Sequence, residues 1–303
     1  MKAKIAASII IILAIHLIAC ASYHSAKRLV LQNPPKQKPT DQTPTDATPF
    51  ELSTVLMRST FKIIGRGSVG TVFIIGRPDP KIEKQLYFVL VTAAHVLEQM
   101  IGDDATLLLR KKDKDEYFKG GWPIKIRRGG KPLWTKHPSV DVAVMYVNLP
   151  KEADVALLPT SALATDEILD SFHVHPGDNL YCLGFPYTYE ANSAGFPILR
   201  KGAIASYPLM PTEKVKTFLL DLNIFEGNSG GPVYLVETSR LGPNGIGMGN
   251  YQTIVGIISK QIFVDEDNGS STDTRKQKAS IALAVVIHAS FIRQAIEILP
   301  PQN

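Results

Sequence analysis

Short runs rich in β-branched and aromatic residues recur along this chain, each cut off by glycine, proline or a polar cluster, with no strand–helix alternation between them. Leu86–Val96, Ser139–Met145 and Val255–Ser259 contain such runs. Each is long enough for a strand and too short for a packed helix. Twenty-two glycines and twenty-one prolines supply the breaks. An α/β sheet would need helical patterns between successive strands, so the pattern predicts an all-β barrel or sandwich. The 303 residues, 45% of them hydrophobic, suffice for one large domain or two small ones plus a leader.

The octet Glu226-Gly227-Asn228-Ser229-Gly230-Gly231-Pro232-Val233 carries chemistry. A serine flanked by glycines in a tight turn lets a substrate carbonyl come close. Gly227 can bend so that its own N–H and that of Ser229 point at one spot, and such donors can take about 3 kcal/mol off a barrier. The same letters satisfy the G-x-S-x-G elbow of α/β-hydrolases, in which acid and histidine both follow the serine. That order leaves His288 with Asp265, Asp267 or Asp273, in an esterase-type site. A second order runs histidine, aspartate, serine. Leu86–Val96 ends in Thr92-Ala93-Ala94-His95, and Ser139–Met145 places Asp141 within an apolar run. An aspartate buried in a strand is costly unless hydrogen-bonded, and an imidazole N–H would satisfy it.

These segments resemble the trypsin-like (chymotrypsin-fold) serine peptidases. TAAH around His95, DVAV around Asp141 and GNSGGP around Ser229 match that family's motifs, and the match runs from about Ser59 to about Ile298. Asn228, and the strand Ala284-Val285-Val286 leading into a final helix, look most like the bacterial Deg/HtrA-type branch. The resemblance implies an all-β fold of two six-stranded antiparallel β-barrels with a C-terminal α-helix. Barrel 1 would cover about 52–158, barrel 2 about 170–287 and the helix 288–299, within a peptidase domain over 51–300. It implies a serine endopeptidase acting on protein or peptide substrates, without metal or cofactor. His95 would be the base, Asp141 its orienting acid and Ser229 the nucleophile, with Gly227 and Ser229 N–H groups as the oxyanion hole. Ser259 would hydrogen-bond Asp141, and Val255–Ser259 would line the groove and pair with the bound peptide.

The same resemblance puts Asn223, six residues before the serine, at the base of the primary pocket, with Glu226 beside it and Gln261 and Ala282 as walls. A neutral base argues against a preference for Arg or Lys and for a small-to-medium uncharged side chain. Asn228 stands where digestive-type members carry an aspartate that pairs with a new N-terminus, so that activation switch is not expected. The chain ends at its helix, so no PDZ domain is expected either. In this branch the loop before the serine, here Phe225-Glu226-Gly227, can rest in an inactive shape. Trypsin-like folds can also bind partners without turnover, but usually after losing a triad member, whereas all three candidates are present here.

The N-terminus reads as a targeting segment. Lys2 and Lys4 precede the apolar run Ile5–Ile18, which is too short for a comfortable span of about 20 residues and has the form of a secretory signal. Leu17-Ile18-Ala19-Cys20 resembles a bacterial lipobox, which would lipidate Cys20 and hold the protein at the cell envelope, exposed to periplasm or exterior; without lipidation it would be secreted. Residues 21–50, with five prolines among Lys, Gln, Thr and Asp, read as an extended tether. The net charge of +5 lies partly in these segments and no basic–aromatic motif accompanies it, so nucleic acid is not an expected partner.

Other features read as structure. Gly65–Phe73 is glycine-rich, but no Gly-Lys-Ser/Thr follows, so it is a strand entry rather than a phosphate loop. His173 and His175 would share a strand face, but no further ligand is near and Pro176-Gly177-Asp178 reads as a turn. Arg110–Tyr117 reads as a charged hairpin tip, Phe263–Lys278 as an exposed loop, and Cys182 as a small buried hydrophobe.

Overall fold

A computed structural model describes residues 51–79, 86–242, 245–266 and 277–300. The leader, Cys20 and the tether lie outside the described residues, as do Asp267 and Asp273. Among the described residues no helix is long and apolar enough to cross a membrane.

Helix α1 (Leu52–Ser59) opens the body. The Glu51 carboxylate accepts from the N–H groups of Ser53 and Thr54 at 2.9 and 2.8 Å, satisfying two donors that a helix start leaves orphaned. Leu52 and Leu56, one turn apart, are fully buried. Each contributes about 1.5–3 kcal/mol through that burial.

The first β unit contains β1 (Thr60–Arg66), β2 (Ser68–Pro78), β3 (Leu86–Thr92), β4 (Ile101–Asp113) and β5 (Glu116–Lys125). Short strands follow: β6 (Arg127–Arg128), β7 (Lys131–Pro132), β8 (Thr135–Lys136), β9 (Ala143–Tyr146) and β10 (Leu158–Pro159). The sheet order is β5-β4-β1-β2-β3-β9-β8, antiparallel throughout, with β10 added in parallel to β2. Helix α2 (Ala94–Glu98) follows β3. The hydrogen-bonded path is not closed, yet β1–β5 and β9 all feed one core, through residues such as Phe61, Val72, Leu90, Leu107, Ile124 and Met145.

The second unit is a closed barrel, β11-β12-β13-β16-β15-β14. Its strands are β11 (Asn179–Gly184), β12 (Ile198–Ile204), β13 (Thr217–Asp221), β14 (Pro232–Gly242), β15 (Gly245–Glu266) and β16 (Gln277–His288). Helix α3 (Asp166–Ser171) precedes it and α4 (Ala289–Ile298) closes the chain. The barrel therefore begins at Asn179, later than the 170 or so expected. Both ends of the segment read as an exposed loop are strand, since β15 and β16 stay paired out to Glu266 and Gln277; its middle, 267–276, lies outside the described residues.

The two units share a core because β2 and β3 are buried on both faces. Val72 and Ile74 face the first core, while the alternating Phe73 and Ile75, with Val89 and Val91, pack in a cluster with Val233, Ile257 and Phe291. Period-two alternation along one strand thus serves two cores.

His288 stands at the N-cap position of α4 and is buried against the Phe218 ring, with centroids 4.9 Å apart and neither ring nitrogen hydrogen-bonded among the described residues. Burial pulls its pKa from 6.5 to about 4, only partly offset by the charge of Asp166. Between those values the unfolded chain binds a proton that the folded chain refuses. Stability is therefore fully present above the unfolded value and falls as pH drops through that window, by up to about 3 kcal/mol. Urea unfolding across this range should show the loss, and His288→Leu should flatten it; equal slopes in both proteins would rule the assignment out.

Candidate active site

The register of one strand pair brings His95 and Asp141 together. Strand β3 pairs antiparallel with β9, Thr92 opposite Ala143. His95 follows Thr92 by three residues and Asp141 precedes Ala143 by two, so both project from the same end of the pair. Asp141 is not inside the strand, as its apolar surroundings suggested. It sits at the tip of a tight turn closed by Val142 N–H on the Val140 carbonyl at 2.9 Å. The turn lets Asp141 Oδ1 accept the His95 backbone N–H at 2.9 Å, capping a helix whose own N-cap, Ala93, has no side-chain acceptor. Asp141 Oδ2 meets His95 Nδ1 at 2.6 Å and accepts the Ser259 hydroxyl at 2.8 Å. Burial works to raise the Asp141 carboxyl, but the hydrogen bond and charge of His95, with the Ser259 hydroxyl, hold it below the usual carboxylate range.

Ser229 comes from the other unit, in the turn before β14. First-unit strand β2 straps that turn in place. The N–H of Thr71 donates to the Ser229 carbonyl at 2.9 Å and its hydroxyl to the Gly227 carbonyl at 2.7 Å. Gly230, at φ +88°, brings the backbone so close to β2 that a Cβ would collide with the Thr71 carbonyl and the Thr92 hydroxyl. The Ser229 hydroxyl donates to the Ser259 carbonyl at 2.9 Å. Ser259 thus touches the acid through its hydroxyl and the serine through its backbone.

Gly227 has φ +92°, and a Cβ there would run into the Phe185 carbonyl. The Tyr187 N–H donates to the Glu226 carbonyl at 2.8 Å. In a trans peptide, C=O and N–H point in opposite directions, so fixing the Glu226 carbonyl on Tyr187 turns the Gly227 N–H away from Tyr187. Among the described residues, neither the Gly227 nor the Ser229 N–H has a backbone acceptor. Tyr187 and Thr188, at φ +49° and +67°, are consecutive left-handed residues. Each costs about 1–2 kcal/mol.

No family model and no curated protein matches the sequence. Solved structures similar to this chain include the inactive form of a mutant of Rv3671c from M. tuberculosis H37Rv, at 17% identity and TM-score 0.40, over 83% of this chain and 92% of that one. The protease Anisep from Arthrobacter nicotinovorans aligns at 13% identity and TM-score 0.42, over 78% of this chain and 93% of that one. The thermostable serine protease AL20 from an extremophilic microorganism does so at 12% and 0.41, over 79% and 95%.

A groove of about 490 Å³ runs beside the serine, lined by His95, Ser229, Ser259, Asn223, Glu226 and Gln261 together with Tyr187, Ile224, Phe225, Lys260, Phe263 and Ser280. All the side chains expected around the pocket are therefore on it except Ala282, whose place Ser280 takes. Between the pairs Gln261–Ala284 and Phe263–Ser280, two steps along β15 match four along β16, and Ala282, at φ +57°, sits in that bulge. Gln261 Nε2 donates to Asn223 Oδ1 at 2.5 Å and to the Ser280 hydroxyl, and its Oε1 accepts the Ile224 N–H at 2.6 Å. The pocket wall is thus a neutral amide–hydroxyl network. Val255–Ile258 cannot pair with a peptide, because β14 and β16 occupy both edges; the β14 ladder ends at Pro232 opposite Ile257, and Ile258 still bonds Gly230 and Gly231. Only from Ser259 onward is that edge free for an added strand.

The elbow alternative fails on the fold. The described sheets are antiparallel apart from the two-residue β10–β2 contact, and His288 is packed into the core rather than placed on the groove. Asn228 is buried with neither amide atom hydrogen-bonded among the described residues. Burial pushes the Cys182 thiol up to about 12, which fits a packing residue rather than a nucleophile.

Proposed function

We propose that the chain is a trypsin-like serine endopeptidase, hydrolysing peptide bonds through an acyl-enzyme on Ser229. The observation that carries this reading is the 2.6 Å contact of Asp141 with His95 Nδ1, in a groove that also holds Ser229. With Nδ1–H donated to Asp141, His95 Nε2 is left as the acceptor. The Ser229 hydroxyl rotates from the Ser259 carbonyl toward Nε2, gives up its proton and attacks the substrate carbonyl carbon. The Gly227 and Ser229 N–H groups hold the resulting oxyanion, and Asp141 stabilises the imidazolium. His95 then protonates the leaving amine, and water repeats the sequence in reverse to release the acid.

The substrate backbone adds as a strand along Ser259–Gln261. The Asn223–Gln261–Ser280 network selects an uncharged side chain next to the cut bond. Digestion of an unfolded protein, with mass spectrometry of the new termini, tests both statements. Cuts following uncharged residues and absent in Ser229→Ala are expected; hydrolysis of esters without cleavage of any peptide bond would contradict the peptidase assignment. The signal-like leader and the lipobox-like Leu17–Cys20 support anchoring at a bacterial cell envelope through Cys20. A metabolic fatty-acid label should enter the protein and be lost in Cys20→Ser; a label unaffected by that change would exclude it.

A further inference from the structure

We propose that the buried Lys62 and the part-buried Glu190 form a brace that sets the orientation of the Glu226–Gly227 peptide, making Lys62 a positioning residue for the oxyanion hole. The proposal rests on the peptidase reading for its consequence, though not for its geometry. Lys62 lies on β1 of the first unit, far in sequence from the serine, and is only 6% exposed. A lysine this deep needs its charge paired and its donors used. Its ammonium meets Glu190 Oε1 at 2.5 Å and donates to the Thr188 carbonyl at 2.8 Å. The second Glu190 oxygen is held by Lys119 of β5. Burial alone would raise the Glu190 carboxyl, but bonds and charge from Lys119 and Lys62 keep it below the usual range.

What it holds is the strained part of the loop that joins β11 to β12, residues 185–197. Tyr187 and Thr188 are both left-handed, a conformation that residues other than glycine keep only when their surroundings impose it. Lys62 grips the carbonyl of Thr188 and, through Glu190, the residue two positions on. The Tyr187 N–H in turn fixes the Glu226 carbonyl, and the Tyr187 ring stacks on Phe225 at 4.8 Å. At the far end of the loop the buried Arg110 donates to the Gly195 carbonyl at 3.0 Å and lies between the Phe61 and Phe196 rings. Without the brace, Tyr187 and Thr188 relax toward negative φ, the bond to Glu226 is lost, and the 226–227 peptide is free to turn its N–H away from the oxyanion. The first unit thereby does what a buried new N-terminus cannot do here, where Asn228 replaces the acid such a terminus would need.

The test compares the parent chain with Lys62→Met, Glu190→Gln and, as a control, Lys125→Met, which removes the exposed pair with Asp104. Peptide turnover and crystal structures of the four proteins are the readouts. Both brace variants should lose the Tyr187–Glu226 hydrogen bond and about 10- to 100-fold in kcat, with KM changed by less than about threefold, while the control matches the parent. Glu190→Gln serves alone if Lys62→Met does not fold. Unchanged kcat with the hydrogen bond intact would overturn the proposal, as would a rise in KM at constant kcat. A parent that turns over nothing would contradict the peptidase reading; the brace would then stand if the variants lose the hydrogen bond and fall if they keep it.

Discussion

Ser229→Ala is expected to lower kcat by about 10⁶-fold while leaving the fold intact. Ser280, also on the groove, donates its hydroxyl to Asn223 and accepts from Gln261. Cys182 is in the core with its thiol protonated, and Ser259 has its hydroxyl committed to Asp141. The substitution removes only an oxygen bound to the Ser259 carbonyl, worth about 1 kcal/mol, so the melting temperature should move by only a few degrees. Thr71 keeps its two bonds to the backbone of this turn, so the Gly227 and Ser229 N–H groups stay in place. Peptide binding should therefore persist in the variant. Steady-state kinetics with a peptide substrate, alongside thermal unfolding, measures both effects. Turnover within tenfold of the parent would remove Ser229 from the chemistry.

Asp141→Asn should cost about 10⁴-fold in kcat, by changing the tautomer of the base. One Asp141 oxygen accepts the His95 backbone N–H and the other faces Nδ1. An asparagine must keep its oxygen toward the backbone N–H, because two donors cannot face each other. Its NH₂ then points at Nδ1, which must accept, and the remaining ring proton moves to Nε2. A protonated Nε2 cannot take the Ser229 proton. The same NH₂ also confronts the Ser259 hydroxyl, which must turn from donor to acceptor. Loss of kcat with little change in KM is the expected pattern; a variant with near-parental kcat would show that Asp141 is only a cap for α2.

The candidate triad was legible in the sequence because each member sits in a short motif whose meaning is local. The all-β class was legible for a similar reason, since strand runs without intervening helical patterns exclude most other folds. What stayed hidden depends on partners distant in sequence. Asp141 reads as a strand residue until the β3–β9 register shows where the ladder stops. Ser280 rather than Ala282 reaches the groove because of a bulge that leaves no signal in composition. The β15–β16 pairs beyond Phe263 read as a loop because their residues carry no apolar run that sets them apart from one. Arg110 reads as part of a hairpin tip, yet it is almost fully buried, and burial lowers its pKa to about 10. Its partners Phe61 and Phe196 and the carbonyls of Met57 and Thr60 come together only in the fold. The brace of Lys62 and Glu190 is invisible for the same reason.

The central claim is that Ser229 is a nucleophile activated by His95 and served by a formed oxyanion hole. Reaction of the folded 51–303 body with a fluorophosphonate probe, followed by peptide mapping, tests it most directly, beside Ser229→Ala and His95→Ala. A competent site gives one adduct, on Ser229, abolished by either substitution. No adduct on a protein shown to be folded, or an adduct on another residue that survives Ser229→Ala, would contradict it.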